Sequence, residues 1–358
     1  MTKQKTAKSQ SRSGHILKEV LKTVVPLGVS ALLIVWLMRK VDARQMWEAA
    51  RHCDYGWIVL MMVLMTISRM IRGSRWGIQL RGAGLKPVPR VVEWISIFGA
   101  YALNLVLQSL GEVWRCVYMA RREKAPVATV IGTDIGDRIS DLACIMVLVT
   151  VTFFVARDKI MHFMDHYRVG ETILHVLSDP YTYIWIVLGL VVLAGVAYVF
   201  RDSKFIVSAL AQLKKVWVGF RIIFTMPGRG RYVLLTVAIW TCYFLETYVC
   251  FYAFPFTREL ITQPGTWGGI LPGLVVFTFG SISMGVPSSG GLGPWNLAVM
   301  FGLSLYGVSD TDGSAYSFVV WGSQAIAIIA AGIFSAVWIA LRKDKTANDG
   351  ANIVKKGG

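Results

Sequence analysis

"SMGVPSSGGLGPW", residues Ser283 to Trp295, gathers four glycines, three serines and two prolines inside a segment, Leu260 to Ser309, that carries no charge. A broken backbone exposed to hydrocarbon would leave its amides unsatisfied, so a break at this depth must be buried in protein or line a wet cavity. Pro287 and Pro294 stop helices, Pro294 can also open the next one, and Gly290, Gly291 and Gly293 supply backbone freedom. Two arrangements satisfy this pattern. In one, two half-depth helices meet at the loop, and the N–H groups of the second, with Ser288 and Ser289, form an anion-attracting end inside the membrane. In the other, a Gly/Pro-rich hairpin packs tightly between helices.

The rest of the chain makes the surroundings a membrane. Of 358 residues, 55% are hydrophobic and only 16% charged, and the mean hydropathy is +0.55. The apolar runs are continuous and do not alternate, which excludes a closed barrel and predicts an all-α polytopic integral membrane protein. Helical spans are expected at 20–38, 55–73, 126–156, 181–200, 232–256 and 314–341, with two less regular apolar regions at 91–111 and 260–309. Residues 1–19 form a basic cytoplasmic tail, 20–341 the transmembrane domain and 342–358 a short cytoplasmic tail. The first apolar run ends in "WLMRKVD" with no small-residue cleavage site, so it reads as an uncleaved span.

The net charge of +16 is gathered into clusters between spans and not into a stripe with interleaved aromatics, so nucleic acid is not expected as a partner. Placing the N-terminus, 69–90, 115–124, 201–231 and the tail in the cytoplasm gives 28 basic residues inside against eight outside, which predicts N-in and C-in. The clusters 69–90 and 115–124 then lie on one side with too few apolar residues between them for two crossings. Residues 91–111 therefore enter and return, and 260–309 starts and ends outside by the same parity, with length for two crossings or for two half-depth helices that meet at the loop, the absence of positive charge there favouring the second. A re-entrant element from each face is the pattern of an inverted-repeat transporter, although no sequence repeat is evident.

Several charges stand where hydrocarbon makes them expensive. In "VATVIGTDIGDRISDLACIMVLV", Asp134, Asp137, Arg138 and Asp141 recur at helical spacing along one face. Either Arg138 pairs with Asp134 or Asp141 to tie helices together, or the face lines a substrate path. Glu246 is the one charged residue between Tyr232 and Thr257, and reads as a hydrogen-bonding group, a partner for a buried Arg or a proton carrier. Asn104, Gln108, Glu112 and Arg115 give the 91–111 region a polar side, and an Arg fork suits a lipid phosphate. Residues 203–224 read as an interfacial helix on the cytoplasmic surface. The five cysteines and five histidines form no metal-ligand spacing, and no cofactor is expected.

The order "GEVWR…ARREKAPVATVIGTDIGDRISDLACIMVL…VPSSGGLGPWNLAVMFGLSLYGV" resembles the flippase-like transmembrane domain of bacterial lysylphosphatidylglycerol synthases and their stand-alone relatives, over about residues 20 to 341. Gly111, Glu112 and Arg115 are similar to that family's Gly-Glu-x-x-x-Arg-like stretch. Asp137, Arg138 and Asp141 are similar to its acidic-Arg-x-x-Asp element, and Pro287, Gly290, Gly291 and Gly293 to its Gly-rich loop. The chain departs from the family at Ser109, where relatives commonly carry Arg, and at Asn296, where they frequently carry Glu. No hydrophilic segment here is long enough for the synthase half of the fused enzymes.

The resemblance implies a multi-pass protein of the bacterial inner membrane that moves an anionic lipid, or a polyprenyl-phosphate-linked headgroup, between leaflets. The expected substrate-binding residues are Glu112, Arg115, Asp137, Arg138, Asp141, Glu246, Ser288, Ser289, Gly290, Gly291, Gly293 and Asn296. The alternative is a non-transporting membrane partner of a lipid-modifying or glycosyl-transferring enzyme. An intramembrane serine protease would need a base near "SSGG", and all five histidines fall outside the expected spans, so no enzymatic activity is expected. The oligomeric state is left open by the sequence.

Overall fold

The computed structural model describes residues 43–106, 109–159, 161 and 226–356, without the side chains of 43, 46 and 343–356. The expected spans at 20–38 and 181–200 and the interfacial helix at 203–224 lie outside these residues. Within them every element is helical: α1 (Ala43–Arg51), α2 (Tyr55–Gly82), α3 (Arg90–Val106), α4 (Leu110–Glu123), α5 (Val127–Val155), α6 (Arg229–Cys250), α7 (Pro255–Thr262), α8 (Ile270–Ser283), a 3₁₀ turn at Ser289–Gly291, α9 (Pro294–Ser304) and α10 (Asp310–Lys356). Four are long and apolar enough to cross a bilayer, namely α2, α5, α6 and the Asp310–Arg342 part of α10. This is a multi-pass membrane protein.

The boundaries differ from expectation in ways that have local causes. Asp54 caps α2 by accepting from the Gly56 N–H at 3.1 Å. That helix runs nine residues past the expected end at 73, through arginines that find partners in the protein. Helix α6 stops at Cys250 instead of 256, because Pro255 opens α7 and the chain must turn before it. The region 91–111 holds α3 and the start of α4, which runs on to Glu123; Ser109, at φ 64°, stands at the break before α4.

Side-chain pairings fix the helix directions. Ser68 meets Glu246 and Gln79 meets Tyr232, so α2 and α6 run antiparallel; Arg72 meets Asp141 and Trp76 meets Thr133, so α2 and α5 do too. Helix α10 lies antiparallel to α3, with Ser335 on the Ile95 carbonyl and Gly332 against Ala102, and to α9, with Asn296 on Ser317 and Ser314 on Met300. Helices α3 and α4 form one hairpin and α8 and α9 another. In the first, a Cβ on Gly111 would stand 1.9 Å from the Ala100 carbonyl oxygen, so the backbones touch where no side chain fits. The two hairpins enter from opposite ends of the bundle: α3 begins beside the C-terminal turns of α2, where Arg81 pairs with Glu93, and α8 begins where the Tyr248 hydroxyl donates to the Gly268 carbonyl, near the end of α6. Their tips meet. Gly290 lies against Leu105, and the Trp321 indole of α10 donates to the Gly290 carbonyl at 2.9 Å.

Along α2 the packing is layered. Ile58, Met61 and Met65 belong to an apolar core with Phe251, Phe254, Val275, Val276 and Tyr316; Trp76 and Leu80 belong to a second with Val92, Cys116, Met119 and Val130. Between the two cores lies a polar layer. The outward faces of α5, α6 and α10 expose Leu142, Met146, Val147, Val233, Leu234, Val237, Ile333 and Phe334, as helices solvated by lipid do.

Candidate functional site

The polar layer is built on Ser68, Arg69, Arg72 and Arg75 of α2, all buried or nearly so. These arginines were counted with the cytoplasmic cluster 69–90, although the expected span 55–73 already held Arg69 and Arg72; all three lie inside the candidate span Tyr55–Gly82, and Arg69 stands halfway along α2. Their spacing of three places them on one helical face. Arg75, with no exposed side-chain surface, lies 2.7 Å from both Asp137 Oδ1 and Asp141 Oδ1; Arg72 lies 3.2 Å from Asp137 Oδ2 and 2.5 Å from Asp141 Oδ2. Two cations and two anions close a neutral cluster between α2 and α5. Burying four charges is tolerable only with such matching.

A second network ties α4 to α5. Arg115 pairs with Asp134 and lies 4.2 Å over the Trp76 ring, while Arg138 pairs with Glu112 and lies 3.4 Å from Asp134 Oδ2. Glu112 also accepts from Asn104 Nδ2 at 2.7 Å, closing the tip of the α3–α4 hairpin. Asn104 and Glu112 do not share one continuous helix; the hairpin folds them together. The expected single face of α5 is in fact divided, with Asp134 and Arg138 serving α4 and Asp137 and Asp141 serving α2. Arg138 therefore pairs with Asp134 and not with Asp141.

Glu246 accepts from the Ser68 hydroxyl at 2.7 Å. Among the described residues no three His, Cys, Asp or Glu side chains are placed to hold a metal ion.

Two adjoining cavities open on this layer. The first, of about 280 Å³, is lined by Asn104, Glu112, Arg115 and Arg138 and by Ser288, Gly290 and Gly291 of the broken loop. The second, of about 270 Å³, is lined by Asp141, Glu246 and the rings of Trp240, Tyr243, Phe277 and Trp295. Arg69, Arg72, Tyr101, Met284 and Gln324 line both. Of the residues expected to bind substrate, eight thus border a cavity, and Asp137 stands behind Arg72 and Arg75 as their counter-charge.

Three do not reach either cavity. Ser289 is buried, the Gly293 N–H donates to Asn296 Oδ1 at 3.0 Å, and Asn296 Nδ2 donates to Ser317 on α10 at 3.3 Å. The start of α9 is thereby closed by its own Asn296 and offers no free anion-binding end at that amide. Arg69, Arg72, Arg75, Tyr101 and Gln324 were missed. The three-residue period of the arginines within an otherwise apolar run was the available signal, because loop charges have no reason to repeat at helical spacing.

No curated protein and no solved structure matches the chain. Residues 23–332 match the model of the Lysylphosphatidylglycerol synthase TM region, so the chain belongs to that family, whose membership suggests a lipid-related function in the membrane.

Proposed function

We propose that this chain is an inner-membrane transporter that lets an anionic lipid headgroup, of a phospholipid or a polyprenyl-phosphate-linked precursor, pass between leaflets while its acyl chains stay in the bilayer. The observation that carries this reading is the pair of adjoining cavities beside Arg69, halfway along α2, walled by two hairpin tips and by cations that a phosphate would approach. In this reading α3–α4 is re-entrant from the cytoplasm and α8–α9 from outside, with both termini cytoplasmic. A headgroup meets Arg138 first, since its side chain is about half exposed while Arg115 is held under Trp76. A charged headgroup crossing bare hydrocarbon faces a cost of several kcal/mol that a polar, wet path removes.

The test is transport by purified protein in liposomes carrying a fluorescent phosphatidylglycerol, with dithionite quenching of the outer leaflet. Protein-dependent exposure of inner-leaflet lipid, lost in Arg138→Gln at unchanged melting temperature, supports the proposal. Liposomes with folded wild-type protein and no exchange of any anionic lipid would turn the choice to the non-transporting partner.

A further inference from the structure

The arginines of the polar layer are not equivalent. Arg72, Arg75, Arg115 and Arg138 each have a carboxylate oxygen within 4 Å, whereas Arg69 has none among the described residues. Its Nη1 donates to the Met65 carbonyl of its own helix at 3.0 Å, its face lies 4.6 Å over the Tyr101 ring, and its Nε is buried with no partner. A guanidinium presents five N–H donors in a planar fork. Most of this capacity is unspent at a side chain that is 9% exposed and borders both cavities. Glu246, which also lines the second cavity, accepts from Ser68 and is not within ion-pair distance of Arg69. A cation so buried calls for an anion in contact, and among the described residues no carboxylate stands within 4 Å of it.

We propose that Arg69 is a phosphate-binding residue at the junction of the two cavities, taking the phosphate of a headgroup in passage from one cavity to the other, with Gln324 lining the same junction. For its ligand this rests on the transport reading. Arg72 cannot serve instead, because its Nη2 is committed to Asp141 and Asp137 and its Nη1 donates to the Tyr243 hydroxyl. The Tyr101 ring holds the guanidinium plane from one face and leaves its edge for a bidentate oxyanion.

The full chain, purified in detergent, is titrated with dihexanoyl-phosphatidylglycerol and separately with inorganic phosphate, following tryptophan fluorescence and melting temperature for wild type, Arg69→Gln and Arg69→Lys. Charge-assisted hydrogen bonds of this kind are expected to give Arg69→Gln at least about a tenfold loss of affinity, and Arg69→Lys a smaller one. Without ligand, Arg69→Gln should melt at or above the wild-type temperature, since it removes a buried charge that has no ion-pair partner. Binding of the short-chain lipid but not of inorganic phosphate assigns the site to a headgroup; Arg69-dependent binding of both assigns it to phosphate in general. Unchanged affinity in Arg69→Gln, no binding to wild type, or a fall in melting temperature in both variants overturns the proposal. Arg69-dependent binding in a protein that moves no lipid would instead remove only the transport reading.

Discussion

Arg75→Gln tests whether the Arg72, Arg75, Asp137 and Asp141 cluster is held by charge balance. As folded, two cations face two carboxylates, and neither Arg75 nor Asp137 has any exposed side-chain surface. Removing Arg75 leaves Asp137 with Arg72 at 3.2 Å and Asp141 with the same Arg72 at 2.5 Å, so one guanidinium serves two buried carboxylates and a net negative charge remains. Breaking a buried pair in this way costs about 3–5 kcal/mol. Arg75→Gln combined with Asp137→Asn restores neutrality and keeps the shapes, so the double variant should recover about 2–3 kcal/mol of that loss as a coupling energy. Unfolding in mixed micelles with increasing SDS, followed by tryptophan fluorescence, measures each variant; Trp76, next in sequence and fully buried, reports on this layer directly. If the double variant were as unstable as the sum of the two single ones, the balance argument would be wrong, and Arg75 would act through packing and through its contact with the Tyr232 ring at 5.4 Å.

Gly111→Ala should destabilise the protein by about 3 kcal/mol, at the upper end of overpacking costs, because the new methyl would lie 1.9 Å from a backbone oxygen, Ala100 O, that cannot rotate away; an unshifted melting temperature would disprove the close hairpin. Gly291→Val should abolish lipid transport, since Gly291 has φ 80° and a Cβ would meet Met284 Sδ at 3.1 Å at the cavity wall, whereas Ser288→Ala, whose hydroxyl reaches only the Val286 carbonyl at 3.4 Å, should cost no more than about tenfold, a hydrogen bond being worth about 0.5–1.5 kcal/mol. Parallel measurement of transport and melting temperature distinguishes a blocked cavity from a misfolded hairpin. Single cysteines at positions 158 and 312 of a Cys-free background should react with an impermeant maleimide in intact cells, and ones at 121 and 214 should not; labelling at 121 would refute re-entry of α3–α4 from the cytoplasm.

What could be read from the sequence was whatever carries its meaning locally. Glycine and proline dictate a backbone break wherever they stand, so the loop at 283–295 was legible, and its Gly290 and Gly291 do take positive φ. Acidic residues in an apolar run are costly anywhere, so Asp134, Asp137, Asp141 and Glu246 stood out, and all four are buried or cavity-lining. The contacts of Asn296 were not legible because they depend on geometry three residues upstream: it accepts from Gly293, and a side chain that closes a helix start looks no different in sequence from one that greets a ligand. Arg69, Arg72 and Arg75 were misplaced for another reason. Positive charge after an apolar run has an inexpensive explanation as a loop signal, and only a partner on another helix shows that the span continues.

That partner also explains the one arginine left over. In the antiparallel register of α2 and α5, Arg75 faces Asp137 and Arg72 faces Asp141, each step of one turn along α2 answered by a step of about one turn back along α5. Continuing the register by one more turn brings Arg69 opposite the neighbourhood of Cys144 and Ile145, where α5 has run out of acids and Ile145 borders the second cavity. On the other side Asp134 is taken by Arg115 and Arg138, so no carboxylate of α5 is spare. The series of three arginines on α2 thus overshoots the two acids of α5 that face it by one turn, and it does so where the two cavities join. A chain selected only for tight helix packing would gain by ending the arginine series at Arg72, because a buried guanidinium with no carboxylate in contact, held only by the Met65 carbonyl and the Tyr101 ring, is poorly compensated. The added turn is accounted for if the missing anion arrives with the ligand, and replacing Arg69 with Gln should therefore raise the stability of the empty protein while removing its response to phosphate.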